Sequence, residues 1–405
     1  MMVDVDINFT HQELDPFLSK YFAYYNTLDP FWRIVFVDRV ICFAKSKLFI
    51  AQKNCIVDNR VKTIISASAV QLTLGLKEWH LSYFDTIIVF PGDFKNAVTG
   101  LHLKGETNLT GFVSFSWKSF IEGYRIPNDN LNLGLHEFAH ALRFNGIRGE
   151  NTDYFFDNYF EKWYCYAQKE FYSLQKGLPS FLRQYGGANI NEFLSVAIEH
   201  FFESPQQFKN NAPELYAATA ILLNQKTNGV QTEVGIRQKE LNALKHKAPL
   251  SEFSPDKNFF NSPGVLSSYV FILIGAFTVF KTGLFSFPTL FVFLLYGLLM
   301  LKNDFSYGFF NVDASGIDIY KGFLAFKNRK KRRISLNELV NVEILTDDGN
   351  EHTVIFNYFT ANEVFYTESA NVKMNENLKT RFINELRKNF VWVKEPQINR
   401  LKALT

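Results

Sequence analysis

His136-Glu137-Phe138-Ala139-His140 is an HExxH pentapeptide, and the residues around it read as one helix. Side chains four apart on a helix stand one above the other, so His136 and His140 share a face with Glu137 beside them. Two imidazoles in that relation, with a carboxylate adjacent, make up most of a catalytic zinc site. Leu131, Leu133, Leu135, Phe138, Ala139 and Leu142 make the segment apolar on more than one side, and Asp129, Asn130 or Asn132 offers an oxygen to cap its first turn. Two histidines and a glutamate in such a helix need partners, because an unsatisfied buried polar group costs about 1–3 kcal/mol. A metal ion supplies them. The competing reading is a pair of core histidines bonded to backbone carbonyls, with Glu137 on a solvated stripe.

The residues that follow narrow the kind of site. The longer HExxHxxGxxH motif requires glycine at 143 and histidine at 146, where this chain has Arg143 and Gly146. The third ligand must therefore come from farther along, and a second helix bearing a carboxylate is a natural source. Asn191 to Glu203, NEFLSVAIEHFFE, is such a helix, ended by Ser204-Pro205. Glu192, Glu199 and Glu203 fall on one narrow stripe of it, and periodicity does not choose among the three.

Several separated blocks carry a resemblance that does choose. They are Phe43-Ala44-Lys45 with Ile64-Ile65-Ser66-Ala67-Ser68-Ala69 and Ile87-Ile88-Val89-Phe90-Pro91; then Gly111 to Trp117 leading into the HEFAH helix; then Tyr185-Gly186-Gly187-Ala188-Asn189, Glu192-Phe193 and Glu199-His200-Phe201-Phe202. From about Phe22 to Gln225 the chain resembles the Mlc titration factor A (MtfA) family of zinc-dependent peptidases. That resemblance implies a mainly α (α+β) gluzincin-type zinc peptidase domain over residues 1–225, with one Zn²⁺ per chain. It makes Glu199, 59 residues after His140, the third zinc ligand with His136 and His140. The fourth position is left for water, whose proton Glu137 takes as general base. Some members fill that fourth position with an upstream histidine, and His102 is the nearest match here. Members usually have Leu-Asp where this chain has Leu142-Arg143, so whatever the aspartate orients is held differently. Tyr185, just before the ligand helix, is a candidate to stabilise the oxyanion.

Composition bounds the remainder. At 405 residues the chain has room for two or three domains, and its formal charge of +3 gives no reason to expect a nucleic-acid surface. Cys42, Cys55 and Cys165 are odd in number and far apart, which fits neither a disulfide framework nor a thiolate zinc site and suits a reducing compartment. Asp4 and Asp6 make the N-terminus acidic, unlike a secretory signal peptide.

Beyond residue 225 the character changes twice. Residues 226–262 are polar and charged, with Pro249 and Pro255, and read as a connector. Val265–Phe280 and Leu284–Leu301 are uncharged, largely apolar runs separated by Lys281-Thr282-Gly283, and 263–302 reads as a two-helix transmembrane hairpin. Residues 303–405 return to alternating patterns. Phe309–Val312, Gly316–Tyr320, Val340–Ile344 and Thr353–Phe356 read as strands and Glu376–Asn389 as a closing helix, a small α+β domain with a loose likeness to a bacterial PH-like domain. The basic run Lys327 to Arg333 offers a contact for anionic headgroups, and the placement of lysines and arginines around the hairpin puts both large domains on the cytoplasmic side of the inner membrane.

The sequence thus leads to a membrane-anchored, cytoplasm-facing zinc metallopeptidase acting on a peptide or protein substrate, with aminopeptidase action among the specificities it admits. The alternative from another class is a zinc-binding regulator that sequesters a transcriptional regulator or other protein partner. The intact Glu137 favours hydrolysis, since a structural zinc needs the histidines but not that carboxylate.

Overall fold

The computed structural model describes residues 8–96, 99–149, 152–243, 308–313, 316–321, 332–346, 351–360 and 362–395. The chain divides into two compact units, Met1–Leu244 and Lys245–Thr405.

The first unit opens with α1 (His11–Tyr21), α2 (Pro30–Ser46), β1 (Leu48–Ala51) and α3 (Asn59–Thr73). Strands β2 (Thr86–Phe90), β3 (Phe94–Lys95), β4 (His102–Leu103), β5 (Gly105–Asn108) and β6 (Phe112–Ser116) follow. Then come α4 (Trp117–Arg125), α5 (Leu133–Arg148), α6 (Tyr154–Gln175), α7 (Ile190–Glu203), α8 (Pro205–Asn211) and α9 (Pro213–Leu223). Side-chain caps fix where the longer helices begin. Asp29 caps α2 through Trp32 N–H, Asp58 caps α3 through Val61 N–H, and Asn189 caps α7 through the N–H groups of Asn191 and Glu192. Of the three candidate caps before the HExxH helix, Asn132 is the one that accepts from Leu135 N–H.

Helix α3 is buried on all sides from Thr63 to Thr73, as a helix without a polar face must be. It packs between α2 and α5 and forms the centre of the unit. A four-stranded sheet, ordered β1-β2-β6-β5, lies against α5. Strands β1, β2 and β6 run parallel, whereas β5 runs antiparallel to β6 and forms the edge. Behind the second helix of the site, Trp163 of α6 is fully buried, its indole 5.9 Å from Phe193 of α7 and its Nε1–H donated to Thr219 of α9 at 2.9 Å. This aromatic packing holds α7 at a fixed depth against α5.

The beginning of the expected connector belongs to this unit. It forms β7 (Gln225–Thr227), β8 (Thr232–Val234) and α10 (Arg237–Ala243). Gln225 is buried, accepts from Tyr24 Oη at 2.6 Å and donates to the carbonyls of Gln71 and Leu72 at the end of α3. Arg237 is also buried, over the Phe155 ring and paired with Asp153 at 3.0 Å. Through these contacts the first part of the 226–262 stretch, which composition reads as a connector, is fastened to the unit.

Among the described residues no helix is long and apolar enough to cross a membrane. That finding corrects the inner-membrane location expected from the sequence, and the hairpin at 263–302 on which it rested falls outside the described residues.

In the second unit, β9 (Gly308–Asp313), β10 (Gly316–Lys321) and β11 (Arg332–Ser335) form an antiparallel sheet ordered β11-β10-β9. Strands β12 (Leu339–Thr346), β13 (Glu351–Phe359) and β14 (Phe365–Lys373) form a second, antiparallel one, and β15 (Trp392–Lys394) joins β12 in parallel. The intervening helix α11 (Glu376–Lys388) presses Phe382, Ile383 and Leu386 into a core with Phe310, Val342 and Phe356. The four strands read from the alternating patterns fall within β9, β10, β12 and β13. Two residues of the basic run are used inside this fold: Arg333 pairs with Asp313 and Asp318, and Arg332 lies over the rings of Tyr358 and Tyr366.

Candidate metal centre

Helices α5 and α7 pack face to face and bring three donors together. His136 Nε2 lies 3.1 Å from Glu192 Oε2, His140 Nε2 lies 3.4 Å from the same oxygen, and the two Nε2 atoms are 3.3 Å apart. His136, His140 and Glu192 are the group close enough to hold a metal ion among the described residues. Tetrahedral bonds of about 2.0–2.1 Å put neighbouring donors about 3.3 Å apart, so these separations and the two-imidazole, one-carboxylate set both fit zinc.

The structure places Glu199, the third ligand implied by the resemblance, outside this group. Its carboxylate is buried against the other side of the first histidine, Oε1 accepting from His136 Nδ1 at 2.7 Å and Oε2 from Asn132 N–H at 2.8 Å. Arg183 Nη2 also donates to Oε1. A histidine whose Nδ1–H is donated to a carboxylate presents the lone pair of Nε2 outward, the usual support for a metal-ligating imidazole. Glu203, one turn farther on, accepts from Asn132 Nδ2 at 3.1 Å. The acidic stripe of α7 is therefore used along its whole length, with Glu192 at the metal group, Glu199 behind His136 and Glu203 at the cap of α5. Ser195 of α7 adds a bond from Oγ to the His136 carbonyl at 3.1 Å.

Glu137 is buried on the sheet side of α5. Thr107 of β5 donates its hydroxyl both to the Glu137 carbonyl at 2.8 Å and to its Oε2 at 2.9 Å. Directly opposite, Gly105 leaves the space the carboxylate occupies, since a Cβ at that position would sit 2.5 Å from Glu137 Oε1. Tyr185 is 56% exposed, with its ring 6.0 Å from the His136 ring. His102 is exposed on the β3–β4 hairpin opposite Lys95 and is not part of the metal group. Arg143, where the resembled family has aspartate, lies with its guanidinium 4.0 Å from the Phe160 ring centre and so faces α6.

The charge balance of the centre favours a cation. Burial opposes charge on His136, but its hydrogen bonds to Glu192 and Glu199 outweigh that cost and raise the imidazole to about 10. Burial likewise works to raise Glu192, and hydrogen bonds from the two histidines hold it well below the usual carboxylate range. The pull these carboxylates exert on a proton at the imidazole is the pull they exert on a metal ion. Burial raises Glu137, in spite of the two histidines, which is the direction a general base requires. Tyr185 is raised by burial and by the charges of Glu192 and Glu137.

Residues 6–221, which include both helices of this site, match the glucose-regulated metallo-peptidase M90 family. The chain belongs to that family. It is also similar to uncharacterized protein slr2042 of Synechocystis sp. (strain ATCC 27184 / PCC 6803 / Kazusa), at 26% identity over 222 residues, 49% of this chain and 78% of that protein. Membership of M90 makes this a metallopeptidase-family protein, with the metal and the peptide or protein substrate that such a family implies.

Sequence reasoning missed Thr107, Gly105 and Arg183. The first two have a faint signal, a small residue and a hydroxyl alternating on a strand beside the motif. Arg183 has none, because its role depends on how the turn before α7 meets a buried carboxylate.

Proposed function

We propose that this protein is a zinc metallopeptidase whose metal is held by His136, His140 and Glu192 and whose general base is Glu137. The observation that carries this is the convergence of the two Nε2 atoms and one carboxylate at 3.1–3.4 Å. Bound zinc supplies Lewis-acid polarisation of the scissile carbonyl and acidifies water. Glu137, held from behind by Thr107 and raised by burial, takes a proton from the attacking water and returns it to the leaving amine. Tyr185, partly exposed and with its ring 6.0 Å from the His136 ring, donates a hydrogen bond to the developing oxyanion.

The peptide itself has a place to lie. Strand β5 is the edge of its sheet, bonded to β6 on one side, and it carries Gly105 and Thr107 against Glu137. An extended substrate pairing with its free edge would pass the base with its backbone aligned and its side chains alternating outward. Backbone pairing of this kind tolerates many sequences, so specificity falls to the residues flanking the edge.

Purified full-length protein, loaded with zinc and assayed against peptides with free and blocked N-termini, tests the proposal. Glu137→Gln should keep its zinc and lose about 10²–10⁴-fold in turnover, the usual contribution of general acid–base catalysis. A zinc-loaded Glu137→Gln protein with full turnover would refute the assignment of the base. If that variant has no turnover yet performs its cellular role, the partner-binding reading replaces hydrolysis as the protein's purpose.

A further inference from the structure

Arg183 belongs to no motif, yet it reaches the most deeply buried carboxylate of the centre. Glu199 is 1% exposed and accepts three hydrogen bonds, from His136 Nδ1, Asn132 N and Arg183 Nη2. Arg183 is the lysine or arginine that forms an ion pair with Glu199 among the described residues, and the pair is asymmetric in burial, with the Glu199 side chain 2% exposed and that of Arg183 26%. The guanidinium Nε is buried without a partner among the described residues, so the contact with Glu199 is the interaction that orients the group. Arg183 also stands immediately before the 3₁₀ turn Gln184–Gly187, which carries Tyr185.

We infer that Arg183 is a positioning residue for the metal centre, acting through Glu199 on the His136 imidazole and through its own backbone on Tyr185. The inference rests on reading the centre as a metal site. A carboxylate that must only accept, and never take the Nδ1 proton, needs its negative charge compensated. Glu192 bonds the other nitrogen of the same imidazole and adds charge of the same sign. The Arg183 guanidinium supplies the opposite charge on Oε1, beside the oxygen's bond to the imidazole. With Glu199 fixed as an acceptor, Nδ1 keeps its proton, and Nε2 is the nitrogen turned toward His140 and Glu192, where a metal would take the place of its proton. The same contact anchors the start of the turn, and Tyr185 sits two residues farther along with its ring beside His136. One ion pair thus sets both the ligand and the proposed oxyanion donor.

The test is zinc affinity by chelator competition on full-length wild type, Arg183→Ala, Arg183→Lys, Glu199→Gln and the Arg183→Ala/Glu199→Gln double variant, with melting of the metal-free proteins alongside. Removing a group that supports a ligand typically costs about 10–100-fold in metal affinity, and Arg183→Ala should fall in that range; its metal-free form should stay folded but melt lower than wild type, because Glu199 loses its charge partner. Lysine should recover part of the loss because it restores the charge without the planar fork. In the Glu199→Gln background Arg183→Ala should add little, since the route to the metal is already cut. Wild-type affinity in Arg183→Ala, or losses that simply add in the double variant, would overturn the inference. A wild-type protein that binds zinc, and an Arg183→Ala protein that binds it equally, would sink this inference while leaving the metal site standing. A wild-type protein without zinc affinity would instead sink the site itself.

Discussion

Alanine at position 105 is expected to disable the catalytic base while leaving the metal in place. A Cβ there would meet Glu137 Oε1 at 2.5 Å, Cγ at 2.7 Å and Cδ at 2.8 Å. Carbon and oxygen atoms pack at about 3.5 Å or more, so the carboxyl would have to withdraw by about 1 Å. Strand β5 cannot retreat instead, because Gly105 is paired with Phe115 and the Lys104 carbonyl is bonded to Ser116 N–H. The flexible end of Glu137 therefore moves, breaking its bond to Thr107. Because a side chain yields rather than backbone, the stability cost should lie at the low end of the about 1–3 kcal/mol seen for overpacking. Catalysis is less forgiving, since a misplacement of about 1 Å can cost about 10²-fold. The assay is kcat on a peptide substrate with zinc content and melting temperature measured on the same preparation. Gly105→Ala should retain stoichiometric zinc, melt about 2–4 °C lower and turn over about 100-fold more slowly. Turnover within about twofold of wild type would refute the claim that Glu137 works from the position seen against β5.

Other perturbations test the surroundings of the site. Arg237→Ala should destabilise the first unit by about 3–5 kcal/mol in denaturant unfolding, because it strands Asp153 in a pair whose side chains are 2% and 3% exposed; a cost under about 1 kcal/mol would contradict that burial. Burial raises Glu203 from 4.5 to about 8, with the Asn132 hydrogen bond opposing. A carboxyl that keeps its proton longer when folded than when unfolded makes stability fall as pH rises from 4.5 to about 8. Glu203→Gln should remove that fall, with a difference between the two curves of at most about 5 kcal/mol; parallel curves for variant and wild type would show that the group is not perturbed. Stripping the metal should lower the melting temperature of the first unit, because the ion ties α5 to α7; unchanged melting in protein shown to be metal-free would count against the ligand set.

The HExxH helix was legible because four-residue spacing by itself places His136 and His140 together, and the acidic helix was legible because its glutamates share a stripe. Which glutamate lies beside the two histidines was not. Period fixes the face of α7 and says nothing about its depth, and depth is set by Trp163 and Phe193 behind it and by the Asn189 cap that starts it. With that depth the first turn brings Glu192 to the histidines, while Glu199 passes behind His136 to the Asn132 cap. The place of His102, in β4 opposite Lys95 and outside the group of donors, likewise depends on a strand pairing that spacing does not show. The stretch after residue 225 read as a connector because it is polar, but Arg237 is buried, paired with Asp153 and bonded to the carbonyls of Ile221 and Leu222, which composition does not reveal. In the second unit, alternation at period two located four strands, two in each of its sheets.

Anomalous diffraction at the zinc edge from crystals of the metal-loaded protein tests the central claim most directly. The account predicts one strong peak in the first unit, about 2.0–2.2 Å from His136 Nε2, His140 Nε2 and a Glu192 carboxylate oxygen, with Glu199 remaining on His136 Nδ1. A peak coordinated by Glu199 in place of Glu192, or no peak between α5 and α7 in protein that carries zinc, would contradict it.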